Sequence, residues 1–104
     1  MIHTNQNPQL KINVMKDSRA IGYLVIDSII AGHSHGGVRL MPHLDEEEIS
    51  ILARGMTLKF GFLGLPHGGA KAGVIGDPEA PREARLELLR NFAQAISPLL
   101  ARRI

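Results

Sequence analysis

Apolar and polar residues alternate over residues 10–16, which is the two-residue period of a strand with one buried face. Asp17 and Ser18 follow and predict a turn. The next apolar segment, residues 21–31, has β-branched and aliphatic side chains at odd and even positions alike, with Asp27 as an interruption. That composition is typical of a longer and more deeply buried strand. The two segments therefore predict a hairpin or two neighbouring strands.

The pattern changes to a helical period at Asp45. Glu48 lies three residues later, an arrangement that caps the free amides of a helix start. One apolar face follows at helical spacing and contains Ile49, Leu52, Ala53, Met56 and Phe60. Lys59 lies along this face, so either its stem packs while its ammonium reaches water, or it receives an anion in a pocket. Glycines and a proline in residues 61–66 predict the end of the helix.

The last third of the chain predicts a short strand over residues 72–75, a turn, and a helix that starts near Pro81. The apolar face of this helix contains Leu86, Leu89, Phe92, Ala93, Ile96 and Leu100. Pro98 is expected to kink or end it. Residues 32–40 are expected to form a second glycine-rich loop followed by a short strand. These alternating elements predict an α/β fold with a mixed, mostly parallel sheet flanked by helices.

The composition fits one small domain, expected over residues 10–104 after a flexible lead over residues 1–9. Twelve basic and 10 acidic residues give a net charge of only +2, and three Phe and one Tyr are the aromatic residues. Scattered charge with few aromatic side chains argues against a nucleic-acid partner. No apolar segment is long enough to span a bilayer, so no membrane partner is expected. The absence of cysteine fits a cytoplasmic protein.

Lys71 lies in a glycine-rich segment, residues 65–74, that the sequence predicts as a loop between a helix and a strand. The segment is not a phosphate-binding loop, because Ala72 stands where Ser or Thr would bind magnesium. A helix–loop–strand order is also the reverse of the dinucleotide-binding fingerprint. Lys71 is therefore either a solvated surface residue or a lysine placed for chemistry.

Several histidines invite a metal interpretation. The candidates are His33, His35, His43 and His67. Structural and catalytic zinc sites combine such residues with cysteine or carboxylate ligands at recognised spacings, and these histidines have none. A metal centre is therefore not expected.

Four sequence blocks occur in a fixed order: GGVR at residues 36–39, ARGMTLK at 53–59, LPHGGAKAGV at 65–74, and DP at 77–78. Together they resemble the glutamate/leucine/phenylalanine/valine dehydrogenase family. The resemblance spans about residues 10–100 and corresponds to the N-terminal domain of that family, which carries substrate-binding residues and subunit contacts.

The resemblance implies site residues. Lys71 matches the catalytic lysine. In the family, this lysine assists the addition of water to the carbon undergoing oxidative deamination and the loss of water from that carbon. Lys59 matches the lysine that binds the substrate α-carboxylate, and Met56 and Gly37 match positions that line the same pocket. The family also implies NAD or NADP. Neither its nucleotide-binding domain nor its catalytic aspartate is expected within residues 1–104.

Three positions depart from the family pattern. His35 stands where glutamate-specific members have a lysine for the side-chain carboxylate, so an apolar or aromatic substrate is expected rather than glutamate. Ala72 replaces a glycine, and Phe60 replaces an asparagine. Both changes are expected to reshape the pocket.

Two functions remain open from the sequence. The chain is either the substrate-binding and oligomerisation portion of an amino-acid dehydrogenase, inactive alone, or a free-standing assembly or ligand-binding module derived from that family. The first function implies an amino acid or 2-oxo acid as ligand. It also implies a homo-oligomer or association with a nucleotide-binding domain or chain.

Overall fold

The computed structural model describes residues 9–30 and 34–101. Four strands and two helices follow one another in this part of the chain. They are β1 (Leu10–Lys16), β2 (Arg19–Ile26), β3 (Ser34–Met41), α1 (Glu46–Phe62), β4 (Gly68–Ile75) and α2 (Arg82–Ala101). Of the predicted lead, only Gln9 lies within the described residues. None of the described helices is long and apolar enough to cross a membrane.

The four strands form one mixed sheet in the order β1-β2-β4-β3. β1 pairs antiparallel with β2, β2 antiparallel with β4, and β3 parallel with β4. The predicted mixed α/β fold is confirmed, but the expectation of a mostly parallel sheet is wrong. Parallel neighbours need a crossover connection, and α1 supplies one between β3 and β4. β1 and β2 are instead joined by a tight turn, in which Asp17 and Ser18 have φ of 52° and 65°.

Two segments that the sequence predicts as loops are strands. Residues 34–37 begin β3 and residues 68–71 begin β4, where the two strands lie side by side. The glycines allow close approach of backbones at this point rather than a change of chain direction. A Cβ on Gly36 would overlap the backbone of Ala70 on the paired strand. β2 ends earlier than predicted, at Ile26, and residue 31 lies outside the described residues.

The helices cover opposite faces of the sheet. On one face, Val25 packs with Ile49 and Ala53 of α1. On the other face, Leu24, Val74 and neighbouring apolar residues pack with Phe92 and Ile96 of α2. Since successive residues of a strand point to opposite faces, β4 presents Ala72 and Val74 to α2 and its odd-numbered residues, 69, 71 and 73, to α1.

The start of α1 follows from its capping residue. The Asp45 side chain accepts a hydrogen bond of 2.8 Å from the Glu48 amide, as the sequence predicts. Ile49 and Ala53 of the predicted apolar face are fully buried, and Met56 and Phe60 are half-buried. The helix ends at Phe62, shortly before Gly64, whose φ of 72° does not continue a helix.

Pro98 does not end α2, which continues to Ala101, so of the two expected effects, a kink or an end, the end is wrong. Proline has no amide to donate to the carbonyl four residues earlier, which belongs to Gln94. The Ser97 hydroxyl donates to this carbonyl at 3.0 Å and replaces the missing bond. On the predicted apolar face, Phe92 and Ile96 are buried, whereas Leu86 is exposed and Leu88 packs against the core instead.

Candidate functional site

Lys71 lies in the middle of β4, on the sheet face that α1 covers. The flanking residues on that face have no room for side chains. A Cβ on Gly69 would collide with Ala53 and Thr57, and a Cβ on Gly73 would collide with Ile49. Lys71 itself is half-buried. Its position is therefore fixed by a strand packed under a helix, and the expectation that Lys71 lies in a loop is wrong.

Gly37 provides the space that the Lys71 side chain occupies. The two residues are partners in the parallel pairing of β3 with β4. The position that a Cβ on Gly37 would take is 3.3 Å from Lys71 Nζ. The ammonium group thus lies beside bare backbone at the edge strand, where a small anion can approach it. The structure brings these two predicted site residues together.

The other two predicted site residues lie on α1, the helix packed over the same face. Met56 is half-buried, and Lys59 is exposed in the last turn of the helix. Lys59 does not bury its side chain in the apolar face of α1. Its convergence with Lys71 on one anion remains a prediction.

A buried polar network connects this region to the rest of the sheet. Asp27, which is 6% exposed, follows β2 and accepts from Arg54 Nη1 at 3.2 Å and Thr57 Oγ1 at 2.6 Å. Thr57 Oγ1 also accepts from the amide of Gly69 at 2.9 Å. Sequence reasoning treated Asp27 only as an interruption of an apolar segment. The available signal was that polar interruption, together with Arg54 and Thr57 one helical turn apart.

Three rings lie together where β3, β4 and the end of α1 meet. The ring centroids of His35 and His67 are 4.4 Å apart, and those of Phe60 and His67 are 5.6 Å apart. His35 is two residues from Gly37 on the same face of β3, so the rings adjoin the Lys71 region. Within the described residues, no three histidine, aspartate or glutamate side chains are placed to hold a metal ion. His33 lies outside them.

A cavity of about 470 Å³ lies elsewhere in the molecule. Its lining comes from β1, β2 and the turn between them, from β4 and from α2, and contains Lys16, Asp17, Arg19, Ile21, Val74, Leu88 and Asn91. Val74 and Leu88 belong to the core on the α2 face. Because Lys71 points to the opposite face, this cavity is separate from the predicted site.

The glycine-rich segment does not fit a nicotinamide nucleotide. Such a cofactor is bound by a glycine loop between a strand and the N-terminus of a helix. Here Gly68, Gly69 and Gly73 are part of β4, and the space beside each is filled by atoms of this protein. The glycines of β4 therefore pack the strand against its neighbours and do not form a nucleotide-binding loop.

Comparison with known proteins identifies the family of this chain. Residues 5–104 match the family described as Glu/Leu/Phe/Val dehydrogenase, dimerisation domain. The chain belongs to this family. The NAD-specific glutamate dehydrogenase of Staphylococcus aureus is 38% identical over 94 residues, which cover 86% of this chain and 23% of that protein.

Two solved structures of family members have the same fold as this domain. The hetero-hexameric glutamate dehydrogenase of Thermus thermophilus, in a leucine-bound form, aligns with a TM-score of 0.72 and 33% identity, over 86% of this chain and 24% of that chain. L-Tryptophan dehydrogenase of Nostoc punctiforme aligns with a TM-score of 0.72 and 27% identity, over 91% of this chain and 29% of that chain. The chain thus spans about a quarter of the length of these dehydrogenases.

Proposed function

We propose that the chain is the substrate-binding and oligomerisation portion of a cytoplasmic NAD(P)-dependent amino-acid dehydrogenase. The reaction is the oxidative deamination of an L-amino acid to a 2-oxo acid. The observation that carries the proposal is the half-buried Lys71 whose ammonium lies beside Gly37. NAD(P) is held by a further domain or chain, so residues 1–104 alone are expected to be inactive.

The proposed roles follow the positions of the side chains. Lys71 moves protons as water adds to and leaves the carbon that loses its amino group, and Lys59 binds the α-carboxylate. Gly37 and Met56 line the space between strand and helix. Partial burial of an ammonium strengthens its attraction for a carboxylate relative to a fully solvated pair.

The ring cluster supports an apolar or aromatic substrate side chain. The relatives named above act on glutamate or on tryptophan by their names, so family membership alone leaves the side chain open. In this chain, His35, Phe60 and His67 present ring surfaces beside the Lys71 region. Such surfaces favour an aromatic ring, which gains from edge or stacked contacts, over a carboxylate.

A free-standing assembly module is the second candidate. It is favoured by apolar side chains at the end of α1 that this chain leaves in solvent, including Phe62, which is 91% exposed, and Leu63, which is 55% exposed. Exposed apolar groups close together are typical of surfaces that bind another protein. Binding of a 2-oxo acid separates this candidate from the first.

Phenylpyruvate should bind the purified chain weakly, and Lys71→Ala and Lys59→Ala should each weaken binding by about 1–3 kcal/mol. The reason is that each variant deletes a charged hydrogen-bond partner of the carboxylate or keto group. Isothermal calorimetry measures the affinity for phenylpyruvate and, for comparison, the affinity for 2-oxoglutarate, the 2-oxo acid of glutamate. We expect phenylpyruvate to bind more tightly than 2-oxoglutarate.

Lys16→Ala is the matched control, since Lys16 is an exposed lysine in β1 and lines the cavity of the other face. It should leave phenylpyruvate binding unchanged. Equal affinities for the original chain, Lys71→Ala and Lys59→Ala would refute the lysine pocket. They would favour the assembly module.

The chain should form a dimer or larger assembly, in part through the open edges of its sheet. β1 and β3 are the edge strands, and unpaired backbone groups on such strands can pair with a second chain. Sedimentation over a range of concentrations measures the mass. Val38→Lys, at an exposed position of β3, should weaken association more than Leu86→Lys on α2. A monomer at every concentration would contradict this prediction.

A further inference from the structure

Thr57 connects three elements through one hydroxyl. Its oxygen is 2.6 Å from Asp27 Oδ2, 2.9 Å from the Gly69 amide nitrogen, and 3.5 Å from the Ala53 carbonyl. A hydroxyl has one proton, which goes to the nearer and charged acceptor, the carboxylate of Asp27. The lone pairs of Thr57 Oγ1 then receive the Gly69 amide. The hydroxyl thus links the end of β2, the middle of α1 and the start of β4.

Gly69 is held through both of its backbone groups. Its carbonyl accepts from the amides of Asp27 at 2.9 Å and Ser28 at 3.3 Å, while its amide donates to Thr57. A Cβ at Gly69 would overlap Thr57 and Ala53, so the helix lies directly against this backbone. The position of Gly69 relative to α1 therefore depends on Thr57.

Lys71 follows Gly69 by two residues on the same strand and the same face. In the pairing with β3, Gly69 lies opposite His35 and Lys71 lies opposite Gly37. Because two residues of a strand span only about 6.6 Å, a displacement of Gly69 along or away from α1 also moves Lys71. The Lys71 ammonium lies 3.3 Å from the position that a Cβ on Gly37 would take.

We propose that Thr57, oriented by Asp27, is a positioning residue that fixes Lys71 beside Gly37. Asp27 supplies a buried acceptor, and Arg54 holds that acceptor through its contact with the same oxygen. The inference rests on the proposed role of Lys71 in ligand binding. Its consequence is that removal of a hydroxyl outside the ligand pocket changes how Lys71 meets a 2-oxo acid, since ligand contacts are sensitive to displacements of about 1 Å.

Thr57→Val tests the proposal, because valine has nearly the shape of threonine and lacks the hydroxyl. In NMR spectra of the chain, we expect faster solvent exchange of the Gly69 amide and a changed chemical shift of the Lys71 ε-carbon. Phenylpyruvate affinity should fall about tenfold, because a displaced Lys71 ammonium contacts the ligand in a poorer geometry. Thr57→Ser restores the hydroxyl and should return all three quantities toward their original values.

Ile96→Val is the matched control for stability. It removes one methyl group from the core of the other sheet face and lowers stability without contacting the network. It should leave the Lys71 chemical shift and the phenylpyruvate affinity unchanged. A folded Thr57→Val chain with an unchanged Lys71 shift and unchanged affinity would overturn the proposal. If Thr57→Val does not fold, Asp27→Asn retains the side-chain shape and must alter the same Lys71 signal.

The same experiments separate this inference from the proposed function. If Lys71→Ala leaves phenylpyruvate binding unchanged, the ligand role of Lys71 is refuted. The Lys71 chemical shift in Thr57→Val still reports whether the hydroxyl positions the lysine. A changed shift in Thr57→Val that Thr57→Ser reverses would support positioning, whereas one that Thr57→Ser leaves in place would refute it.

Discussion

Arg54→Ala should lower the free energy of unfolding by about 3–5 kcal/mol, because it leaves the buried Asp27 carboxylate without its partner cation. The Asp27 side chain is 3% exposed and the Arg54 side chain 23% exposed, with 3.2 Å between Nη1 and Oδ2. Solvent therefore cannot replace the guanidinium fully. Urea denaturation at neutral pH, followed by circular dichroism, measures the loss.

Two further variants show that the cost comes from the unpaired charge. Asp27→Ala combined with Arg54→Ala removes both partners and should recover part of the loss. Arg82→Ala changes an exposed arginine at the start of α2 and should alter stability by less than about 0.5 kcal/mol. A loss for Arg54→Ala no larger than that of Arg82→Ala would show that the ion pair contributes nothing.

Local patterns in the sequence predicted the elements whose causes are local. Alternation predicted β1 with its observed bounds, and the Asp45 cap predicted the start of α1. Helical spacing also predicted the burial of Ile49 and Ala53. In each case the pattern itself is local, a two-residue or helical period or a cap three residues away, so it can be read without knowing which distant residues complete the contacts.

Long-range pairing accounts for the errors. Residues 34–37 and 68–71 are glycine-rich, which is the composition of loops. They form strands because the two segments, which α1 separates in the sequence, pair with each other. In the polar network, Asp27 bonds Arg54, which lies 27 positions later in the sequence, and Thr57, which lies 30 positions later. No periodicity of the sequence relates residues at these separations. Pro98 lies within α2, where the Ser97 hydroxyl donates to the Gln94 carbonyl that proline cannot bond, a compensation that propensity rules do not include.

The candidate site was only partly predictable for the same reason. The resemblance of ordered blocks to a family points to Lys71 and Gly37, and the two residues are partners in neighbouring strands. Composition and periodicity could not have paired residues so far apart. Family patterns also gave no role to Thr57, whose contacts with Asp27 and Gly69 became apparent only in the folded chain.

Gly36→Ala should be among the most destabilising single substitutions in the chain. A Cβ at this position would overlap the carbonyl carbon and oxygen of Ala70, which are backbone atoms of the paired strand and cannot rotate away. β3 and β4 would have to separate where they hold Gly37 and Lys71 together. Overpacking typically lowers the free energy of unfolding by about 1–3 kcal/mol. Because Gly36→Ala also displaces a strand pair, we expect it to lower the free energy of unfolding by about 3 kcal/mol or more.

Gly55→Ala is the matched control, since the same methyl group is added at a glycine of α1 where, apart from the chain neighbours and the helix backbone, no atom lies within 4 Å of the new Cβ. Alanine is favoured over glycine inside a helix by about 0.8–1 kcal/mol, so this variant should be more stable than the original chain. Thermal and urea unfolding of both variants compare the two environments directly. The prediction requires that Gly36→Ala lowers the free energy of unfolding and that Gly55→Ala raises it. A Gly36→Ala chain as stable as the original would mean that β3 and β4 are not closely paired at Ala70.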